Sequence, residues 1–399
     1  ESTSMTTEQS SEINQQYGGI ENSGNITVGQ GDVVGRDKIV IINVDGSILQ
    51  LPASPNISNQ VKLLPPLPSY DPLPVLEYPK GAVSPQSPFY IERYADKLLR
   101  EQVLGMRTIT TIRAGRQTGK TSLLMRGIQT AQQGKHLAIY LDFQTIEAKH
   151  RKTLDGLLKQ LANEIGRQLK IDSKTIERIW KRAWSAPSKL NEFLEKLVLE
   201  DASSPVLLAI DEADILLSEA CHQDFFSLVR AWNSMGAVNP LWRKLNIVIV
   251  ISTHPYLLID DTARSPFNVS MPVELQDFDE SQILDLNARH GNPVALDLIP
   301  AVMSLLGGHP YLVRQALYTL VKEKWSWGYL AQKAGSDQGP FSQHLRFYRA
   351  ELAKRPELVR AMKRVIERRS SLDERLLERL VAAGLVKEVA GEYHCRCRL

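Results

Sequence analysis

The stretch TIRAGRQTGKTSLL, residues 111–124, holds the residue types and spacing best suited to chemistry in this chain. It joins a β-rich run to an amphipathic helix, the setting in which such a loop binds phosphate. Its glycines let backbone N–H groups turn inward around phosphate oxygens, and the helix N-terminus adds partial positive charge. Lys120 is expected to reach the β- and γ-phosphates, and the Thr121 hydroxyl to ligate Mg²⁺. The pattern G-x-x-x-x-G-K-[ST] puts Ala114 where its first glycine belongs, with Gly115 displaced by one position. Ala114, Gly115, Arg116, Gln117, Thr118, Gly119, Lys120, Thr121 and Ser122 are therefore the expected contacts of ATP or ADP.

Two further runs supply partners for that loop. PVLLAIDEAD, residues 205–214, is a buried-strand run ending in Asp211 and Glu212. An acidic residue at such a strand tip can hold Mg²⁺ through water, and its neighbour can orient the attacking water as general base. Asp211 takes the first role and Glu212 the second; the bland alternative is a pair of carboxylates capping a strand. NIVIVISTHPYL, residues 246–257, ends a third strand in Ser252 and Thr253. Thr253 is the candidate for sensing the γ-phosphate, against a reading in which it begins the next turn. His394, Cys395 and Cys397 suggest metal ligands, but tetrahedral zinc needs four and no second pair lies nearby. A strand is the better reading there.

The elements that must position these residues follow from periodicity. Strands are expected at 108–113, 136–143, 206–211, 247–252 and 269–275, and helices at 93–103, 120–132, 152–170, 174–199 and 222–235. Strands separated by helices imply a parallel sheet with helices on both faces. From about residue 280 the apolar spacing is helical, until a β-like pair at 385–389 and 392–397. Helices ending in a two-stranded ribbon suggest a winged helix-turn-helix. The expected divisions are a P-loop core at 89–278, a helical part at 279–342 and a winged-helix-like domain at 343–399.

The residues before the core differ in character. Residues 1–17 are polar and expected to be disordered. Residues 18–51 alternate β-branched residues with Gly, Asn and Asp, a short β-rich module too small to be stable alone. Residues 52–88 read as a proline-rich linker, since ten of the 21 prolines lie between Gly46 and Pro88. Residues 1–89 carry four basic and nine acidic side chains, while 343–399 carry fourteen and eight. The total of 399 residues allows about two or three domains. A net charge of +3 does not define a nucleic-acid binder, and three cysteines make no disulfide framework. No apolar run is long enough to span a membrane, so a cytoplasmic protein is expected.

From about residue 85 onward the chain resembles the AAA-like ATPase domain of bacterial STAND proteins, signal-transduction ATPases related to AAA+ enzymes. SPFYIERYAD (87–96) is similar to that family's leading segment, IRAGRQTGKTSLL to its nucleotide loop and LLAIDEADILL to its acidic strand. RSPFNVSMPVELQDF (264–278) resembles its fifth-strand region and LLGGHPYLVRQAL (305–317) its lid motif. The resemblance implies an α/β ASCE-type P-loop sheet, a helical lid and a winged-helix domain. It implies Tyr90 and Arg93 near the adenine, with Gly308, His309 and Pro310 on the lid above it, and Arg314 near the place of a second phosphate sensor. It further implies a nucleotide-gated switch that turns ATP over slowly and forms homo-oligomers, with a protein effector or sensor as partner. A DNA-associated ATPase and a nucleotide-holding scaffold without turnover are the alternatives.

Overall fold

The computed structural model describes Tyr70 and residues 73–252, 270–368, 373–389 and 391–399. The β-rich module at 18–51, most of the proline-rich stretch and Thr253 lie outside the described residues.

Residues 206–210 and 247–251 are apolar without interruption, which suits strands covered on both faces. They lie in β3 (Val206–Asp211) and β4 (Leu245–Ser252), the centre of a sheet completed by β1 (Ile109–Ala114), β2 (Leu137–Asp142) and β5 (Met271–Glu274). The five-stranded sheet has the order β2-β3-β4-β1-β5, and every neighbouring pair is parallel. Alternation divides it between two layers. Leu208, Ile210, Ile247 and Ile249 point into one core, and Leu207, Ala209, Val248 and Val250 into the other.

The second core is closed by α1 (Tyr94–Leu104) and α2 (Lys120–Gln133). The first lies under α3 (Leu154–Leu169), α4 (Ser173–Trp180), α5 (Ala186–Leu194) and α6 (His222–Val238). The single helix expected over 174–199 is thus two helices. Ser185 caps the second, accepting from the Ser188 N–H at 3.3 Å, and proline occupies its first turn. Proline there lacks an N–H that a continuous helix would require, so the chain must restart. The free edge of β2 is covered locally by a side chain. The Gln168 amide accepts from the Tyr140 N–H at 3.1 Å and donates to its carbonyl at 2.6 Å, replacing a neighbouring strand.

Beyond β5 lie α7 (Glu280–Arg289), α8 (Ile299–Leu306), α9 (Pro310–Glu323) and α10 (Trp327–Lys333). They bury Ile283, Leu286, Val313 and Leu317 with Phe89 and Ile91 from the segment before α1. The last residues form α11 (Ser342–Ala353), α12 (Pro356–Ile366), α13 (Glu374–Ala382) and the antiparallel pair β6 (Val386–Val389) and β7 (Glu392–Cys395). Leu358, Val365, Leu377, Leu380 and Val386 make their own small core.

The described end of the proline-rich stretch is extended but packed. Tyr78 meets Tyr318 edge to face at 5.2 Å, the Tyr70 hydroxyl donates to Asp285 at 2.9 Å, and Leu76 joins the core of α7–α10. Proline composition forecasts the extended backbone. The packing depends on Leu76, Glu77 and Tyr78, which composition alone does not single out.

Candidate functional site

Register brings four strand tips together at the carboxyl edge of the sheet. Ala114 of β1 lies opposite Ser252 of β4, and Asp142 of β2 opposite Asp211 of β3. Ligands of open parallel sheets bind in the crevice at this edge. A cleft of about 780 Å³ opens there, lined by loop residues 116–122 and by Glu212, Asp214 and Ser252 on the sheet side. Tyr78, Tyr90, Arg93, Phe278, Pro310 and Arg314 line it as well.

The loop between β1 and α2 is held by its own side chains. Gly119 has φ +96, a left-handed conformation that glycine adopts freely, and a Cβ there would come within 3.1 Å of the Arg93 guanidinium. Arg93 donates to the Thr118 carbonyl at 2.9 Å and to the Gln276 carbonyl at 3.3 Å, joining the loop to the segment after β5. The Lys120 ammonium donates to the Gly115 carbonyl at 2.9 Å, as does the Thr118 hydroxyl at 2.8 Å. Burial lowers the Lys120 pKa, opposed by the nearby Glu212, Asp214 and Asp211 charges.

Asp211 is buried behind the cleft wall, where its carboxylate accepts from the Thr121 hydroxyl and from the Glu212 N–H. Glu212 begins the turn after β3 with φ 52, which directs the chain sharply away from the strand. Burial raises its pKa, and the Asp214 and Asp211 charges add to that rise. Asp214 accepts from the Ser252 N–H at 3.0 Å and so ties β3 to β4. Motif reading stopped at Asp211 and Glu212. Asp214 belongs to the same acidic group, and its place in DEAD, three residues past Asp211, was the available signal.

Several candidate residues stand away from the cleft. Ala114 ends β1 inside the core, and Gly115 lies behind the loop, where a Cβ would be 3.4 Å from the Arg396 guanidinium. His309 is buried and meets His344 edge to face at 5.2 Å. Its pKa is pushed well below the ordinary value by burial, then by the Arg396 and His344 charges. Tyr90 lines the cleft through its ring, while its hydroxyl donates to Asp96 at 2.7 Å. Arg314 lines it too, but is engaged by Glu77 at 3.0 Å and lies over the Phe89 ring at 5.2 Å.

The C-terminal elements reach the loop as well. The Arg116 guanidinium lies 3.7 Å from the centroid of Phe347, and His344 Nδ1 lies 2.8 Å from Gln117 Oε1. Arg396 forms an ion pair with Asp277, with its Nε 2.9 Å from the carboxylate. None of these three contacts is legible in a linear motif, because the partners are more than a hundred residues apart.

The solved structures with this architecture include a Walker-type ATPase of Pyrococcus abyssi, 18% identical, with a TM-score of 0.55 over 80% of this chain and 96% of that one. The ORC2 protein of Aeropyrum pernix, solved as ADPNP and ADP complexes, is 15% identical, with a TM-score of 0.47 over 79% and 94%. In sequence, an uncharacterized WD repeat-containing protein of Synechocystis sp. is 29% identical over 246 residues. That match covers 59% of this chain and 20% of the relative. The model of the AAA-like domain matches residues 78–399, which hold the sheet, the cleft and the C-terminal helices, and the chain belongs to that family.

Proposed function

We propose that the chain is an ATP-binding regulatory switch of the STAND type, a slow ATPase whose nucleotide state sets the arrangement of its lid and C-terminal helices. The observation that carries this reading is the composition of the cleft. Loop residues 116–122 and Glu212 form one wall, whereas Pro310, Tyr311, Gln343 and Phe347 come from helices after the sheet. A ligand bound between such walls shifts their arrangement to the extent that it binds one arrangement more tightly than another.

In this reading the loop N–H groups and Lys120 hold the phosphates of ATP or ADP. Tyr90, Phe278 and Pro310 supply the apolar surface for the base. Thr121 and Asp211 hold Mg²⁺, which takes few protein ligands and keeps phosphate oxygens and water for the rest. The hydrogen bond between these two side chains supports that assignment. Among the described residues no group of three or more His, Cys, Asp or Glu is placed to hold a metal alone. The magnesium chemistry is charge neutralisation at the phosphates. Glu212 orients the attacking water and accepts its proton.

Particle size and compactness measured with ADP and with a non-hydrolysable ATP analogue test the switch. A change in either between the two nucleotides is expected, with larger assemblies in the triphosphate state. Identical behaviour rejects the switch while leaving nucleotide binding standing. A DNA-associated ATPase is the second reading, favoured by the exposed cations Arg360, Lys363 and Arg368 on and just after α12. Duplex affinity that falls steeply with salt would support it.

A further inference from the structure

We propose that Arg116 distinguishes a nucleoside triphosphate from a diphosphate by exchanging its contact with Phe347 for one with the terminal phosphate. This inference rests on the nucleotide-binding reading above. The lysine of such a loop serves the β- and γ-phosphates. Here its ammonium rests on the Gly115 carbonyl at 2.9 Å, so Gly115 marks the end of the loop nearest the terminal phosphate. Arg116 is the next residue, is exposed and lines the same cleft. Its guanidinium is close enough to Lys120 for the two charges to oppose each other.

That guanidinium has a specific resting place, 3.7 Å from the centroid of the Phe347 ring. The neighbouring Gln117 meets His344 at 2.8 Å. Positions 344 and 347 are three apart on α11 and share a face, so two successive loop residues hold one side of that helix. The two ties differ in chemistry. His344 is held neutral, its pKa lowered to about 4 by burial and then by the Arg396 and Arg116 charges. The tie at Phe347 is a cation over a ring, which is weak at an exposed site. A guanidinium and a phosphate make a stronger, charge-assisted and bidentate pair. A terminal phosphate beyond the second therefore draws Arg116 off the ring, whereas a diphosphate leaves it stacked. With the triphosphate, α11 keeps one tie to the loop instead of two. Arg116 thus sets nucleotide selectivity and transmits it to the C-terminal helices.

Calorimetric titration of the full chain with ADP and with a non-hydrolysable ATP analogue tests this in wild type, R116A and F347A. Hydrogen exchange over residues 342–353 is followed in each state. R116A is expected to lower the ratio of triphosphate to diphosphate affinity about tenfold. F347A removes the competing ring and should raise that ratio about threefold. In wild type, residues 342–353 should exchange faster with the triphosphate analogue than with ADP, and R116A should abolish the difference. A ratio in R116A within twofold of wild type overturns the proposal, as does a fall in the ratio in F347A. Equal weakening of both nucleotides by R116A also overturns it, because Arg116 would then be a general phosphate cation. Wild type that binds neither nucleotide overturns the nucleotide-binding reading itself.

Discussion

At the scale of residues, the cleft balances one buried ammonium against three carboxylates. Lys120 is 8% exposed and lies near Glu212, Asp214 and Asp211. In the proposed reading K120A removes the cation that faces the phosphates, so it should abolish ATP binding while the circular dichroism spectrum stays native. Unchanged affinity would refute the loop assignment. E212Q keeps the shape of the side chain and loses the proposed base, so binding should persist while hydrolysis falls by about 10²–10⁴-fold. The same glutamate makes a pH prediction with a definite sign. Burial raises its pKa, so it is protonated and inactive at pH values where an ordinary glutamate, with a pKa of about 4.3, is already ionised. Hydrolysis should therefore fail on acidification at a pH above the ordinary glutamate range. D214N removes the next largest cause of the rise and should move that acid limb downward. A limb that stays in place in D214N would assign the titration to another group.

At the scale of elements, junctions carry constraints that strand and helix patterns do not. Gly308 joins α8 to α9 with φ +74, and its carbonyl accepts from the Phe278 N–H at 2.8 Å. A Cβ at Gly308 would run into the Phe278 carbonyl, a backbone atom that cannot turn aside. G308A should cost more than about 1 kcal/mol and lower Tm. G328A is the control: it lies inside α10 with nothing within 4 Å of its Cβ, so Tm should hold or rise. Equal melting of the two variants would show that the junction tolerates a side chain. The elements themselves were largely legible. Unbroken apolar runs gave β3 at its observed bounds and β4 within two residues, because both faces of those strands are buried. The break at Ser185 was missed because the apolar spacing continues across it, although Ser-Ala-Pro marks a helix start. Loop residues 116–122 were legible as a unit because the residues that line the cleft there are contiguous in sequence. Glu77 beside Arg314 and Phe347 above Arg116 were not, since tertiary packing alone brings them together.

At the scale of the whole chain, the boundary of the part that forms the cleft is set by contacts, and composition draws it differently. A proline-rich linker running to residue 88 suggests that everything before the core can be removed without touching the cleft. The structure gives residues 77–83 a direct part in it. Glu77 engages Arg314 at 3.0 Å and accepts from the Ser87 hydroxyl at 2.6 Å, residues 78–83 line the cleft, and the Val83 N–H donates to the Ser122 hydroxyl at 2.8 Å. Ser122 belongs to the first turn of α2, so the extended segment is fastened to the phosphate loop itself. Two truncations separate the alternatives. Removing residues 1–69 spares all of these contacts, so nucleotide affinity should match the full chain within about twofold. Removing residues 1–84 strips one wall of the cleft and leaves the Arg314 guanidinium without its carboxylate. Affinity should then fall about tenfold or more, because a charge-assisted pair and a cleft wall are lost together. Light scattering of the same two proteins tests the β-rich module independently. A loss of assembly size common to both truncations would assign oligomerisation to residues 1–69, the part whose sequence holds the expected β-rich module. Equal nucleotide affinity in the two truncations would show that residues 70–84 do not contribute to the site, and would move its boundary to the start of the Ser87–Asp96 segment.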